Sequence, residues 1–201
     1  MREVWRDFVQ EIIGGQFDSG KVGLNFKDFG SGGERVYPAS LHMSDCCALF
    51  VARIRGEKKL IAVAENKSEL YDAIREEKKL SIDQKEVKIA GLSAANAGVL
   101  RKWFAFMKPV AFGRDSFSLG LGDRLGLASP GHLHCLPGTK IRPVLAQQSI
   151  RELVLTGRTY DEVLDAASWA VFQEGYHAGF GADGDHLKKP EEVKMALELG
   201  F

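Results

Sequence analysis

One repeated pattern in the second half of the chain limits the possible folds more than any other feature. After Pro109, short apolar runs end in glycine or polar residues and are followed by helical patterns. The runs occupy residues 117–121 and 141–146, and a third ends in the polar stretch 180–188. Strand, polar tip and helix in alternation are typical of a parallel sheet, either a barrel or a doubly wound fold.

We therefore predict an α/β protein in which residues 111–201 form the first strand-helix units of a (β/α) barrel-like catalytic domain. Residues 1–110 mix strands and helices without clustered reactive groups, and we predict that they form an α+β supporting domain. A complete barrel has eight units and about 250 residues. We thus expect the 201 residues to be the N-terminal portion of a longer protein, truncated at the C-terminus and inactive alone.

Apolar spacing and turn residues predict the elements of the first half. The first two are a helix with Trp5, Phe8, Val9, Ile12 and Ile13 on one face, and a loop-rich stretch at 18–40 with at most a short strand at 21–26. A β-hairpin of 47–54 and 60–64 follows, and then a helix capped at Asn66 and closed by the charged run 76–79. This half ends with a strand at 87–92 and a helix at 94–107.

The polar stretch 180–188 is the strongest candidate for chemistry. It contains Asp183, Asp185 and His186, and the helix predicted to begin at Pro190 places the stretch on a strand-to-helix loop. Carboxylate and neutral imidazole together suit a borderline divalent cation such as zinc, manganese, nickel or iron. A carboxylate beside such an ion can act as general base.

A structural alternative exists for the same stretch. Asp183 and Asp185 could cap the loop and pair with Lys188, without binding a ligand. Glycine at 181 and 184 favours the functional interpretation, because it lets backbone and ligand approach closely.

Two further strand ends carry polar residues. Asp123 and Arg124 follow the first run, and the planar fork of arginine suits a substrate carboxylate. An ion pair that shapes the loop is the alternative. Gln147 and Gln148 end the second run.

Two other patterns are weaker. Gly120, Gly122 and Gly126 resemble a dinucleotide fingerprint, but the segment 129–131, Ser-Pro-Gly, is expected to break the helix that this fingerprint requires. His132 and His134 would share one face if the chain were extended, which is a metal-ligand spacing. Of the two, His132 is the better candidate for an open site.

The charge composition gives no support for a strongly anionic partner. Lys plus Arg and Asp plus Glu each number 27, so the net charge is zero, and neither nucleic acid nor an anionic membrane is favoured as a partner. The sequence has no signal-peptide pattern and no apolar run of transmembrane length, so we expect a cytoplasmic protein. Near-zero charge is compatible with a homo-oligomer. The three cysteines fit no disulfide framework or zinc pair, and we expect reduced core thiols.

Four long stretches, in this order, resemble the tagaturonate epimerase family. They are SFSLGLGDRLGLA at 116–128, PGH at 130–132, RPVLAQQSIRE at 142–152 and GFGADGDHLK at 179–188. The resemblance implies a metal-dependent C4 epimerase that interconverts tagaturonate and fructuronate in hexuronate catabolism, with a keto-uronate as its small-molecule substrate.

By the same resemblance, Asp185 is the catalytic acid/base, with Asp183 as the second choice, and His186 is a ligand of the divalent metal cation. Arg124 is the candidate for the uronate carboxylate. The residues expected to bind hydroxyls or support ligands are Asp123, His132, Gln147 and Gln148. Two alternatives remain at this point: a divalent-metal aldolase acting on a keto-sugar acid, and a non-catalytic sugar-acid-binding α/β module.

Overall fold

The computed structural model describes residues 35–64, 66–82, 85–114 and 116–201. The chain divides into two compact units, one up to Val99 and the other comprising Leu100–Phe201. The predicted helix at 5–13 and short strand at 21–26 lie outside the described residues. The assignment of 1–110 as support and 111–201 as catalytic domain remains a prediction, because compactness does not reveal which unit is catalytic.

The first unit is built on an antiparallel sheet of five strands in the order β1-β2-β3-β5-β4. Its elements are β1 (Arg35–Ser44), β2 (Cys47–Ile54), β3 (Glu57–Ala64), α1 (Glu69–Ala73), β4 (Lys78–Ile82), β5 (Lys85–Gly91) and α2 (Ala94–Trp103), which continues across the boundary between the units. One face of the sheet buries a cluster of apolar side chains: Val36, Ala48, Phe50, Ala52, Ile61, Val63 and Val87.

The predicted β-hairpin is confirmed as β2 and β3. Ile54 pairs with Glu57, and the two residues between them, Arg55 and Gly56, have φ values of 52° and 86°. Positive φ at both central positions is the type I′ pattern, whose twist matches that of the flanking strands. The turn therefore sets the register of the two strands that form the centre of the core.

The prediction of little regular structure up to residue 40 is wrong for the last part of that stretch, which belongs to β1. The strand accommodates Pro38 because its pairing with β2 is irregular between Tyr37 and His42, and proline is tolerated at such bulges. The Ser40 hydroxyl donates to the Tyr37 carbonyl oxygen at 2.5 Å and accepts from the Val51 N–H at 2.7 Å. A side chain thus supplies the hydrogen bonds that the ladder loses at this point.

The predicted helix after residue 66 is shorter than expected. Its N-cap is Ser68, whose side chain accepts from the Tyr71 N–H, and the charged run at 76–79 leads into β4 instead of closing the helix. The end of α1 is satisfied by buried Lys88, whose Nζ donates to the carbonyl oxygens of Tyr71 at 2.9 Å and Ile74 at 2.8 Å. Lys88 also pairs with Glu76 at 3.2 Å.

We expect Lys88→Met to lower the free energy of unfolding by about 2 kcal/mol, because it leaves buried carbonyl groups without a donor. Urea unfolding measures this. Lys79→Met is the matched control, since Lys79 also pairs with a glutamate, Glu86, and lies near the Tyr71 ring, but is half exposed. Its effect should be within about 0.5 kcal/mol. Equal losses in the two variants would contradict the role assigned to Lys88.

The second unit contains a three-stranded parallel sheet in the order β6-β7-β8. Its elements are a 3₁₀ turn (Ala105–Met107), β6 (Ser118–Gly120), α3 (Ser129–His134), β7 (Arg142–Ser149), α4 (Ile150–Thr156), α5 (Tyr160–Gln173), β8 (Gly181–Asp185) and α6 (Pro190–Leu199). The protein is therefore a mixed α/β structure with one antiparallel and one parallel sheet. Closure of the parallel strands into a barrel remains a prediction.

Helix α5 follows its sequence signals closely. Thr159 and Glu162 form the predicted capping box, and the helix packs on β7 and α3. All the side chains predicted to face inward are buried: Val163, Leu164, Ala167, Val171 and Phe172. Helix α6 likewise begins at Pro190 and ends at Gly200, which has a φ of 98°.

Three further predictions from the sequence need correction. The segment 129–131 begins α3 instead of breaking it, because Pro130 lies in the first turn, where a missing N–H is harmless. Asp183 and Asp185 lie within β8, because pairing with β7 outweighs the low strand propensity of Gly-Ala-Asp-Gly-Asp. All three cysteines are free, but only Cys47 is a core thiol.

Among the described residues, no helix combines the length and the apolar composition needed to cross a bilayer.

Candidate functional site

The polar residues predicted at the ends of β7 and β8 lie side by side. Gln147 pairs in register with Asp183, and Ser149 pairs with Asp185. Paired residues of parallel strands project to the same face of a sheet, and the Gln147 Nε2 donates to the Asp183 carboxylate at 2.9 Å. The amide is thereby oriented, and Asp183 has one partner among the described side chains.

Glycine brings the end of β6 against the same residues. A Cβ at Gly120 would lie 2.9 Å from the Gln147 Nε2, and one at Gly122 would lie 2.6 Å from the Gln147 carbonyl oxygen. Both separations are shorter than van der Waals contact, so no larger residue fits without displacement. The loop 121–128 therefore starts directly beside β7 because Gly120 and Gly122 have no side chains.

Asp123 folds this loop. Its carboxylate accepts hydrogen bonds from the backbone N–H groups of Leu125, at 2.9 Å, and Ala128. Burial raises the pKa of Asp123, but the backbone donors outweigh burial and the net effect is a lowered pKa. Asp123 is thus an ionised structural acid at neutral pH, and its carboxylate binds backbone N–H groups instead of Arg124, the ion pair considered as an alternative.

Arg124 pairs instead with Glu152 in the first turn of α4, through its Nε. Glu152 belongs to a second capping box, in which its carboxylate accepts from the Ser149 N–H at 3.2 Å. This backbone donor lowers the pKa of Glu152, burial opposes the shift, and Arg124 reinforces it. The pair connects the loop after β6 to the helix after β7.

A second arginine, Arg158, holds the backbone of the loop through hydrogen bonds. The Nη1 of Arg158 donates to the carbonyl oxygens of Asp123 at 3.2 Å and Arg124 at 3.1 Å, and its Nη2 donates to the Glu162 carbonyl oxygen at 3.0 Å. The guanidinium therefore ties the backbone of the loop to the start of α5.

Gln148 lies on the opposite face of β7 from Gln147. Its side chain is buried, and its Nε2 has no hydrogen-bond partner among the described residues. The hydroxyl of buried Tyr160 donates to the Gln148 carbonyl oxygen at 3.0 Å. Burial raises the pKa of Tyr160, and the carboxylates of Asp183 and Asp185 raise it further, so Tyr160 is a permanent donor.

Asp185 and His186 are adjacent at the end of β8. The His186 Nε2 lies 3.5 Å from the Asp185 Oδ1, and the two side chains are 76% and 41% exposed. His186 has a φ of 55°, a left-handed conformation that is uncommon outside glycine. Within the described ranges, no group of three or more His, Cys, Asp or Glu side chains gathers where it could hold a metal ion.

The structure separates His132 from this cluster. His132 and His134 lie in α3, a helix, so they do not share a face as they would in an extended chain. His134 pairs with Glu174 at 2.5 Å. The Nδ1 of His132 is buried without a partner in the described part of the chain, and no described hydrogen bond joins His132 to the strand ends.

Sequence reasoning missed Glu152, Arg158 and Tyr160. A signal existed for Glu152, because Ser149 and Glu152 have capping-box spacing. No comparable signal existed for the contacts of Arg158 with the loop or of Tyr160 with β7, because their acceptors are backbone carbonyl groups more than ten residues away in sequence.

The fold and the cluster define a mixed α/β protein whose polar side chains gather at the carboxyl ends of parallel strands, where α/β proteins bind ligands. The profile of the tagaturonate epimerase family matches residues 37–201. The chain therefore belongs to the tagaturonate epimerase family.

Individual relatives agree. The tagaturonate/fructuronate epimerase of Thermotoga maritima is 40% identical over 176 residues, which is 88% of this chain and 36% of the relative. Crystal structures of the fructuronate-tagaturonate epimerase UxaE from Cohnella laeviribosi, native and with one glycerol, are 51% identical, with a TM-score of 0.78 over 85% of this chain and 34% of theirs. The chain spans about a third of the length of these relatives.

We expect Gly122→Ala to push the loop 121–128 away from β7, because the new methyl group would collide with the Gln147 carbonyl oxygen. The free energy of unfolding should fall by about 1–3 kcal/mol, and the side-chain amide signal of Gln147 should shift in NMR spectra. The control is Gly131→Ala, where a Cβ meets nothing within 4 Å. Unchanged stability and an unchanged Gln147 signal in Gly122→Ala would show that the contact does not exist.

Proposed function

We propose that the protein is a metal-dependent C4 epimerase that interconverts tagaturonate and fructuronate. Family membership supports the reaction. The observation that carries the proposal is the cluster at the ends of β7 and β8, where Gln147, Asp183, Asp185 and His186 lie together. This cluster offers a proton acceptor, a metal donor and a hydroxyl-binding amide at one edge of a sheet.

The position of C4 dictates the type of reaction. C4 is β to the ketose carbonyl, so its hydrogen is not activated for enolisation. Cleavage of the C3–C4 bond, as in a retro-aldol reaction, makes C4 a planar aldehyde carbon and leaves an enolate at C3. Re-addition to the other face of the aldehyde restores the bond with inverted configuration at C4, so no atom is gained or lost.

Asp185 is the proposed acid/base. Its carboxylate takes the proton of the C4 hydroxyl group as the bond breaks and returns it after re-addition. Asp183 is less suited, because its carboxylate already accepts from the Gln147 Nε2. The half-exposed side chain of Asp185 can meet a substrate that approaches from solvent.

His186 is the proposed metal ligand, and the donor types present suit a divalent cation. The His186 Nε2 lies 3.5 Å from the Asp185 Oδ1, and the imidazole is 76% exposed, so a cation could reach it from solvent. When bound, the cation would polarise the ketose carbonyl. One histidine does not complete a site, so further ligands must come from other residues.

The remaining residues have supporting roles in the proposal. Arg124 binds the uronate carboxylate, and Gln147 contacts a hydroxyl group while orienting Asp183. Asp123 supports the site by folding its loop, and the unpartnered Nε2 of buried Gln148 can hydrogen-bond a ligand that reaches it. The assignment of His132 has no geometric support.

The proposal also covers the partners, the cellular location and the assembly of the protein. With a net charge of zero, we propose a small-molecule partner and neither nucleic acid nor membrane. A cytoplasmic location suits the catabolism of a sugar acid, and a homo-oligomer is compatible with the absence of charge repulsion.

The test is turnover of tagaturonate by the protein at the full length that its gene encodes, with and without a chelator. We expect the chelator to abolish turnover and Mn²⁺ or Zn²⁺ to restore it. Asp185→Asn should lower kcat by about 100-fold or more, and His186→Ala should lower the metal affinity by about 100-fold. Lys188→Ala, an exposed neighbour on the same loop, should match the wild type.

Product analysis separates this proposal from the alternatives. Release of a three-carbon fragment without epimer would indicate an aldolase. Unchanged metal binding and turnover in His186→Ala would remove this residue from the site. The 201-residue chain alone should show no turnover, because the one metal ligand proposed in it is fewer than the three protein ligands that a catalytic site typically has.

A further inference from the structure

The surroundings of Arg124 define how its guanidinium can meet a ligand. Its Nε is engaged by Glu152, and the two terminal nitrogens have no hydrogen-bond partner among the described residues. The side chain is 73% exposed. A guanidinium held by its Nε presents both terminal nitrogens outward, and this edge can bind a carboxylate through two parallel hydrogen bonds.

Two residues, Arg158 and Glu152, hold this arginine in place. Arg158 donates to the carbonyl oxygens of Asp123 and Arg124. Glu152 is immobilised by its capping box with Ser149. The neighbouring acid, Asp123, is turned onto backbone N–H groups and does not compete for the guanidinium.

We infer that Glu152 is a positioning residue, which orients Arg124 so that the terminal nitrogens face the carboxylate of a sugar-acid substrate. This inference rests on the proposed function. Glu152 acts only through Arg124 and touches no reacting atom. By fixing one edge of a long, exposed side chain, it removes the conformational freedom that substrate binding would otherwise have to restrict.

A purely structural role for the pair is the competing explanation. Exposed ion pairs contribute little to stability, and a capping glutamate already has a local function in α4. The two roles differ in one respect: an orienting residue matters only for ligands that have a carboxylate.

The experiment compares tagaturonate with its neutral counterpart, which has a hydroxymethyl group in place of the carboxylate, as substrate or competitor of the full-length protein. In Glu152→Gln, the KM for tagaturonate should rise about fivefold to tenfold, with kcat within about twofold. The affinity for the neutral sugar should not change. In an Arg124→Ala background, Glu152→Gln should have no further effect.

Glu162→Gln is the matched control. Glu162 occupies the same capping-box position in α5, and among the described contacts its carboxylate binds no arginine. It should leave both affinities as in the wild type. If Glu152→Gln weakened tagaturonate and the neutral sugar equally, or weakened neither, the positioning role would be overturned.

NMR of the arginine Nε–H signals keeps this test separate from the proposed reaction. The Arg124 signal should move in Glu152→Gln, and its terminal nitrogens should respond to tagaturonate but not to the neutral sugar. Such a response without any turnover would overturn the epimerase proposal and support the positioning role. If Arg124→Ala bound tagaturonate as tightly as the wild type, the positioning role would be overturned whatever the turnover.

Discussion

Glycine at positions 120 and 122 is the condition on which the polar end of the parallel sheet depends. The backbone after β6 approaches the side chain and carbonyl group of Gln147 more closely than a Cβ atom allows. With this approach, the loop 121–128 lies over the end of β7, within reach of Arg158 and Glu152. A larger residue would move the loop and, with it, Arg124.

Local signals in the sequence predicted the local structure well. The turn at Arg55 and Gly56, the capping box of α5 and the start of α6 at Pro190 each depend on residues within a few positions of one another. Strands β1 and β4 were missed although each pairs with the next strand of the chain, because Pro38 indicated a loop and the charged run 76–79 indicated the end of a helix. Pro38 disfavours a strand because it lacks a backbone N–H group. In the structure, a bulge and the Ser40 hydroxyl compensate for this missing donor.

For the site, the sequence predicted the positions of the polar residues but not their contacts. Residue types and positions at strand ends predicted where Asp183, Asp185 and Gln147 would collect, since parallel strands bring their carboxyl ends to one edge. Sequence could not indicate the partner of each side chain. An ion pair between Arg124 and its neighbour Asp123 was one alternative from the sequence. In the structure, the carboxylate of Asp123 binds the backbone of its own loop, and the guanidinium of Arg124 pairs with Glu152, 28 residues away.

The acids of this region fall into two groups by what their carboxylates accept. Asp123, Glu152, Glu162 and Glu192 accept from backbone N–H groups at loops and helix starts. For Asp123, Glu152 and Glu192, these donors contribute to a lowered pKa. These three acids hold local structure together and remain ionised at neutral pH.

Asp183 and Asp185 differ from those four acids. Their described partners are side chains, Gln147 and His186, and no described backbone donor binds either carboxylate. Neither carboxylate contributes a described hydrogen bond to the local backbone, and both lie at the carboxyl end of a parallel strand, where α/β proteins bind ligands. A ligand is therefore the most direct explanation for two neighbouring acids at this edge of the sheet.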